Sequence, residues 1–146
     1  MTADTATTPA PLLNGQLIGI TYHAIAAVRD RLLADSGLTF HQSAALRAAA
    51  EGLDRAANAG RLTSTLKIDP ARAHALLDGL TEAGLLDPAT ASLTGKGAGL
   101  HGGFTDAVNA VAERLYGGLP AAERETAARA LAHVTAMANA ELGPEG

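Results

Sequence analysis

Residues 62–86 read LTSTLKIDPARAHALLDGLTEAGLL, and the fold is decided there. Asp69 and Pro70 mark a helix start. The aspartate side chain is suited to accept a hydrogen bond from an orphan N–H of the first turn, and proline at the first helical position lacks only an N–H that has no partner there. Ala73, Leu76, Leu77 and Leu80 then recur at three- and four-residue steps, one apolar stripe on one helix. Gly84 ends it, since glycine adopts the left-handed backbone that closes helices. Residues 61–66 form a short helical piece just upstream. Downstream, Leu85-Leu86 and Ser92-Leu93-Thr94 flank Asp87-Pro88-Ala89-Thr90-Ala91, the pattern of a short β-hairpin with a turn-rich tip.

Working outward, Thr39-Phe40-His41-Gln42 has the spacing of a capping box and opens a helix that runs to Ala50 and stops at Gly52. Residues 53–60 are alanine-rich and suit either a short helix or a helix and turn. Before them, Ile18, Tyr22, Ile25, Val28 and Leu32 repeat at helical steps over residues 16–34, with Gly37 as the stop. Beyond the hairpin, residues 95–103 are glycine-dense and read as a flexible junction. Phe104, Val108, Val111 and Leu115 then make a helical stripe, Gly117-Gly118 breaks it, and Pro120 opens a last helix carrying Leu131, Val134, Met137 and Ala138. Residues 1–15 have little to bury and are expected to be a flexible lead-in, leaving residues 16–146 as one domain.

The 146 residues hold 11 Lys plus Arg against 15 Asp plus Glu, a net charge of −4, and no cysteine. Disulfides, thiolate zinc sites and iron–sulfur clusters are thereby excluded. The charge disfavours wholesale electrostatic binding of nucleic acid but leaves room for a local basic face. Aromatic residues make up 3%, which argues against single-strand binding on stacked rings. The N-terminus MTADTATTPAP lacks the basic start and apolar run of a signal peptide, and no stretch approaches the ~18 apolar residues of a membrane helix. A soluble cytoplasmic protein without membrane association is expected.

Two short helices joined by a tight turn and followed by a small hairpin make a winged helix-turn-helix. With one long helix before it and two after, the chain resembles the MarR family of transcriptional regulators. LTFHQSAALRAAAEG at residues 38–52 resembles that family's second helix, and residues 62–86 resemble its helix-turn-helix, ending in an LxxLxxxGLL run. SLTGKG at residues 92–97 resembles the LTxxG that follows the wing. The resemblance implies a mainly α fold: a winged helix-turn-helix over residues 38–98, with a short β-hairpin wing and long dimerisation helices at 16–36 and 99–142. It further implies a homodimer, a recognition helix over 70–83, a palindromic double-stranded DNA operator, and a small-molecule effector pocket between the two regions. A dimer suits the physics, because two recognition helices enter successive major grooves only when held ~34 Å apart.

The departures from the family pattern fall on the DNA face. Family wings carry an Asp-x-Arg, whereas the tip here has neither Lys nor Arg, and Ala75 and Gly79 stand where basic residues are common. Arg72 and His74 remain to reach base edges, with Thr63, Ser64 and Lys67 just before them and Arg61 and Lys96 within reach of phosphate. Asp69, Asp78, Glu82 and Asp87 lie on or beside the same element, where any that face a duplex repel it. About two or three phosphate contacts per subunit are left, so binding is expected to be weak, strongly salt-limited or absent.

Tyr22, His23, His41 and His101 fall at places that approach the family's ligand pocket. They are either a polar set lining it or separate residues on partly solvated faces. No HxxxH or HxH spacing supports a metal site. The run Thr94-Gly95-Lys96-Gly97 is not a phosphate loop, because no Ser or Thr follows the lysine. No serine sits in a nucleophile elbow and no carboxylates are paired for acid–base work, so no catalytic residue or cofactor is assigned. The sequence therefore favours a dimeric, ligand-responsive repressor. The alternative is a small-molecule-binding protein or enzyme of the same fold that has lost DNA binding.

Overall fold

The computed structural model describes residues 12–144. Most of the lead-in expected over residues 1–15 lies outside the described residues. Six helices follow one another: α1 (Gly15–Ala34), α2 (Phe40–Ala50), α3 (Arg55–Leu66), α4 (Pro70–Glu82), α5 (Gly95–Tyr116) and α6 (Ala121–Leu142). None is long and apolar enough to cross a membrane.

Each of the first five helices starts on a side chain that accepts a first-turn N–H. Asn14 Oδ1 accepts from Leu17 N at 2.8 Å, Asp54 Oδ1 from Ala57 N at 2.9 Å, and Asp69 Oδ1 from Arg72 N at 2.8 Å. At α2 the capping box closes in both directions: Thr39 Oγ1 accepts from Gln42 N at 3.1 Å, and Gln42 Oε1 accepts from Thr39 N at 2.9 Å. Thr94 Oγ1 accepts from Gly97 N at 3.0 Å to open α5. Such caps contribute about 1 kcal/mol each. α6 begins after Pro120 with no side-chain cap.

The core lies where α2, α3 and α4 meet. Leu46, Leu62, Leu77, Leu80 and Leu86 are fully buried, each contributing roughly 1.5–3 kcal/mol relative to exposure. α4 turns Ala73, Leu77 and Leu80 inward, spaced by four and three residues, while Leu76 is half-buried at the margin. Leu33 of α1 closes one side, and Leu100 and Phe104 of α5 pack against another. The Arg29 guanidinium lies 3.8 Å from the centre of the Phe40 ring, tying α1 to the start of α2.

Three local expectations change. Residues 53–66 do not divide into two pieces: Asp54 caps a single α3 that runs unbroken through Gly60. Residues 95–103 are not a loose junction but the first turns of α5. Gly97 is needed there for close approach, because a Cβ at that position would fall well inside contact with the Leu85 carbonyl oxygen and 3.1 Å from its carbon.

The hairpin is the third correction. No strand forms among the described residues, and Leu86 and Leu93 meet in one isolated antiparallel bridge. The tip closes on itself instead: Asp87 Oδ1 accepts from Ala89 N at 2.8 Å and Thr90 N at 3.0 Å, and Ala91 turns left-handed at φ 59°. With Pro88 lacking a donor and the ladder one pair long, the segment lacks the length to propagate as sheet.

The apolar stripes of the long helices find few partners within the chain. Ile20, Tyr22 and Ile25 on α1 are exposed, as are Leu115, Tyr116 and Leu119 around the α5–α6 turn and Leu131, Val134 and Met137 on α6. α6 buries none of its residues.

Candidate nucleic-acid interface

The turn between α3 and α4 fixes the geometry of the site. Lys67 leaves α3 in the left-handed conformation at φ 59°, Ile68 is buried, and Asp69 caps α4. Because Ala73, Leu77 and Leu80 face the core, Arg72, His74, Ala75, Asp78, Gly79 and Glu82 are exposed. Arg72 and His74 therefore stand on accessible parts of the same helix. Among the described residues the Arg72 guanidinium makes no hydrogen bond or ion pair, so it remains available to an external anion.

The other candidate cations are engaged. Arg61 Nη1 lies 2.8 Å from Glu51 Oε1, and Arg47 Nε lies 3.3 Å from Glu51 Oε2. The hydrogen bond from Arg61, against the opposing effect of desolvation, holds the Glu51 carboxyl below its ordinary range. Lys67 Nζ donates to the Ser64 carbonyl oxygen at 2.6 Å and to Asn139 Oδ1 of α6 at 2.8 Å. Lys96 Nζ donates to the Ala83 carbonyl oxygen at 3.2 Å, placing its charge at the C-terminus of α4 where the helix dipole favours it. Thr63 is half-buried. Ser64 is exposed and donates to the Arg61 carbonyl oxygen at 3.3 Å.

Besides Asp69, which caps α4, two more of the acidic groups are occupied. Arg55 Nη2 lies 2.8 Å from Asp78 Oδ1 and donates to the His74 carbonyl oxygen at 3.2 Å, so the start of α3 neutralises one carboxylate of the α4 face. Periodicity did not single out Arg55, because its partner is 23 residues away. Asp87 accepts the N–H groups of Thr90 and Ala89, which keep its carboxyl below the ordinary range. The turn at residues 87–92 thus carries a negative charge and no cation.

The pocket candidates separate. Tyr22 and His23 are exposed neighbours on α1, with ring centres 5.4 Å apart, and His101 is half-buried on α5. His41 lies in an open groove of about 460 Å³ between the first turn of α2 and the start of α4, lined by Thr39, His41, Gln42, Ile68, Arg72, Ala75 and Leu76. That groove brings His41 beside Arg72 but includes none of Tyr22, His23 or His101. No group of three or more His, Asp or Glu stands ready to hold a metal ion among the described residues.

No protein-family model matches the sequence, and no curated protein matches it. Solved structures do. CouR from Rhodococcus jostii RHA1 bound to p-coumaroyl-CoA has a TM-score of 0.68 at 22% identity, covering 83% of this chain and 90% of that one. A MarR family transcriptional regulator from Rhodococcus sp. RHA1 gives 0.67 at 23% identity, over 83% and 92%. A Mycobacterium tuberculosis MarR family protein in complex with DNA gives 0.63 at 26% identity, over 86% and 98%. The six-helix chain has the fold of the MarR family transcriptional regulators.

Proposed function

We propose that the chain is a dimeric, ligand-responsive transcriptional regulator of repressor type that reads a palindromic operator through the helix at residues 70–83. The observation that carries this is the exposed part of α4, where Arg72 projects a guanidinium without a partner among the described residues, from a helix fixed by its cap and its buried stripe. Arginine suits the role, since its planar fork matches both phosphate and the O6/N7 edge of guanine. Thr63, Ser64, Lys67, Arg61 and Lys96 supply the backbone contacts. The 26%-identical structure in complex with DNA supports a duplex as partner.

Homodimerisation through residues 16–36 and 99–142 is supported by the uncovered apolar faces of α1, α5 and α6. Water-exposed Leu131, Val134 and Met137 on a helix that buries nothing are best satisfied by a second copy. Effector binding is supported by the His41–Arg72 groove and by the acyl-CoA carried by CouR, with Tyr22, His23 and His101 as further contacts once a partner completes the pocket. Such a regulator works in the cytoplasm, where its operator is.

One set of observations favours the alternative, a small-molecule-binding protein or enzyme of this fold without DNA binding: Arg55 and Arg61 are in ion pairs, and the wing is anionic. Fluorescence anisotropy with Arg72→Ala separates the two. Under the regulator reading the wild type prefers the duplex upstream of its own gene over a scrambled one and Arg72→Ala abolishes that preference. Under the alternative neither protein binds either duplex, even at low salt.

A further inference from the structure

We propose that Asn139 on α6 is a positioning residue for Lys67, holding its ammonium off the DNA backbone so that α6 and a phosphate compete for it. The proposal rests on the regulator reading above. The Lys67–Asn139 contact at 2.8 Å spans 72 residues and, among the described residues, is the side-chain hydrogen bond that joins α6 to the helix-turn-helix. Lys67 is the residue of the turn itself, and its left-handed backbone sets the direction in which its side chain leaves α3. An ammonium has three N–H donors, and Ser64 and Asn139 take two of them. A phosphate oxygen approaching Nζ along the Asn139 direction must displace the amide.

The exchange favours phosphate when a duplex is present. The contact is exposed and its acceptor is a neutral amide, whereas a phosphate oxygen adds charge–charge attraction and the release of condensed counterions. The resting contact also makes the DNA face sensitive to where α6 lies. α6 buries nothing within its own chain, so whatever covers Leu131, Val134 and Met137 sets whether Asn139 reaches Lys67. The packing of the long helices is thereby linked to one cation of the reading turn.

Salt titrations of wild type, Asn139→Ala, Lys67→Ala and the double variant on one duplex test this. Asn139 is exposed in a helix and alanine is the better helix former, so the variant is expected to fold. Freeing Lys67 tightens binding by about 2- to 5-fold per subunit, because the phosphate no longer has to displace the amide, and leaves the log–log salt slope unchanged, since Lys67 meets phosphate in both complexes. Lys67→Ala and the double variant bind alike, each with a slope shallower than the wild type by about 0.9 per subunit. Intact wild-type binding with an unchanged or weakened Asn139→Ala overturns the proposal and leaves the regulator reading standing. Absence of binding by every variant overturns both. A second readout needs no DNA: the Lys67 ammonium signal in ¹H–¹⁵N spectra is protected from exchange in the wild type and loses protection in Asn139→Ala. An unprotected signal in the wild type overturns the proposal.

Discussion

Gly97→Ala is expected to destabilise the protein even though alanine is the better helix former. Gly97 lies in the first turn of α5, where a Cβ would press into the Leu85 carbonyl and stand 3.1 Å from its carbon. Neither side yields easily. The Leu85 oxygen already accepts from Thr94 N at 3.1 Å, and Thr94 Oγ1 donates to the Gly84 oxygen at 2.6 Å, so α5 is tied to the end of α4 at that point. Forcing a methyl group into such packing costs about 1–3 kcal/mol, more when the obstacle is backbone, while the gain from glycine to alanine in a helix is about 1 kcal/mol. The balance is a loss of about 2 kcal/mol, or about 6 °C in Tm for a chain of this size.

Gly99, two residues on, is the control. It is exposed with open space around it, and Gly99→Ala should gain about 0.5–1 kcal/mol. Urea unfolding followed by far-UV circular dichroism at fixed protein concentration reads both, as a shift in midpoint at unchanged slope. A Gly97→Ala variant as stable as Gly99→Ala would refute the close approach and restore a loose junction at residues 95–103.

Thr39→Ala removes one half of the capping box of α2 and should cost about 1 kcal/mol in the same assay. Ala91→Gly relieves a left-handed alanine at φ 59° and should stabilise by about 0.5 kcal/mol after the glycine's greater freedom in the unfolded chain is counted. Glu51 titrates below its ordinary range because Arg61 hydrogen-bonds its anion, so the stability it contributes is complete above the unfolded value and is lost as pH falls through the lowered folded value. NMR titration should find that lowered midpoint in the wild type and see it rise in Arg61→Ala.

Much of the fold is legible in residues 38–86 because its signals are local. Asp69, Pro70 and Gly84 bound α4, and the Thr39–Gln42 box starts α2, each within a span of a few residues. What was not legible depends on contacts between segments. The glycines at 95, 97 and 99 suggest flexibility until Leu85 is seen against Gly97. The hairpin pattern at 85–94 gives a single antiparallel bridge, Leu86 with Leu93, rather than two strands. The cations were visible, but not their engagement, since Arg61, Arg55 and Lys67 meet partners 10, 23 and 72 residues away. The same distance hid Asn139. Among the described residues the Arg72 side chain is exposed on α4 and makes no hydrogen bond or ion pair.

The account therefore turns on Arg72 and a duplex. Anisotropy of the full chain against its own upstream DNA and a scrambled duplex, over 50–200 mM salt, is the most direct test. The predicted result is preference for the upstream duplex in the wild type, lost in Arg72→Ala, with a log–log salt slope of about −4 to −5 for a dimer making about two or three phosphate contacts per subunit. Equal binding to both duplexes, binding that survives Arg72→Ala, or no binding even at the lowest salt would contradict it.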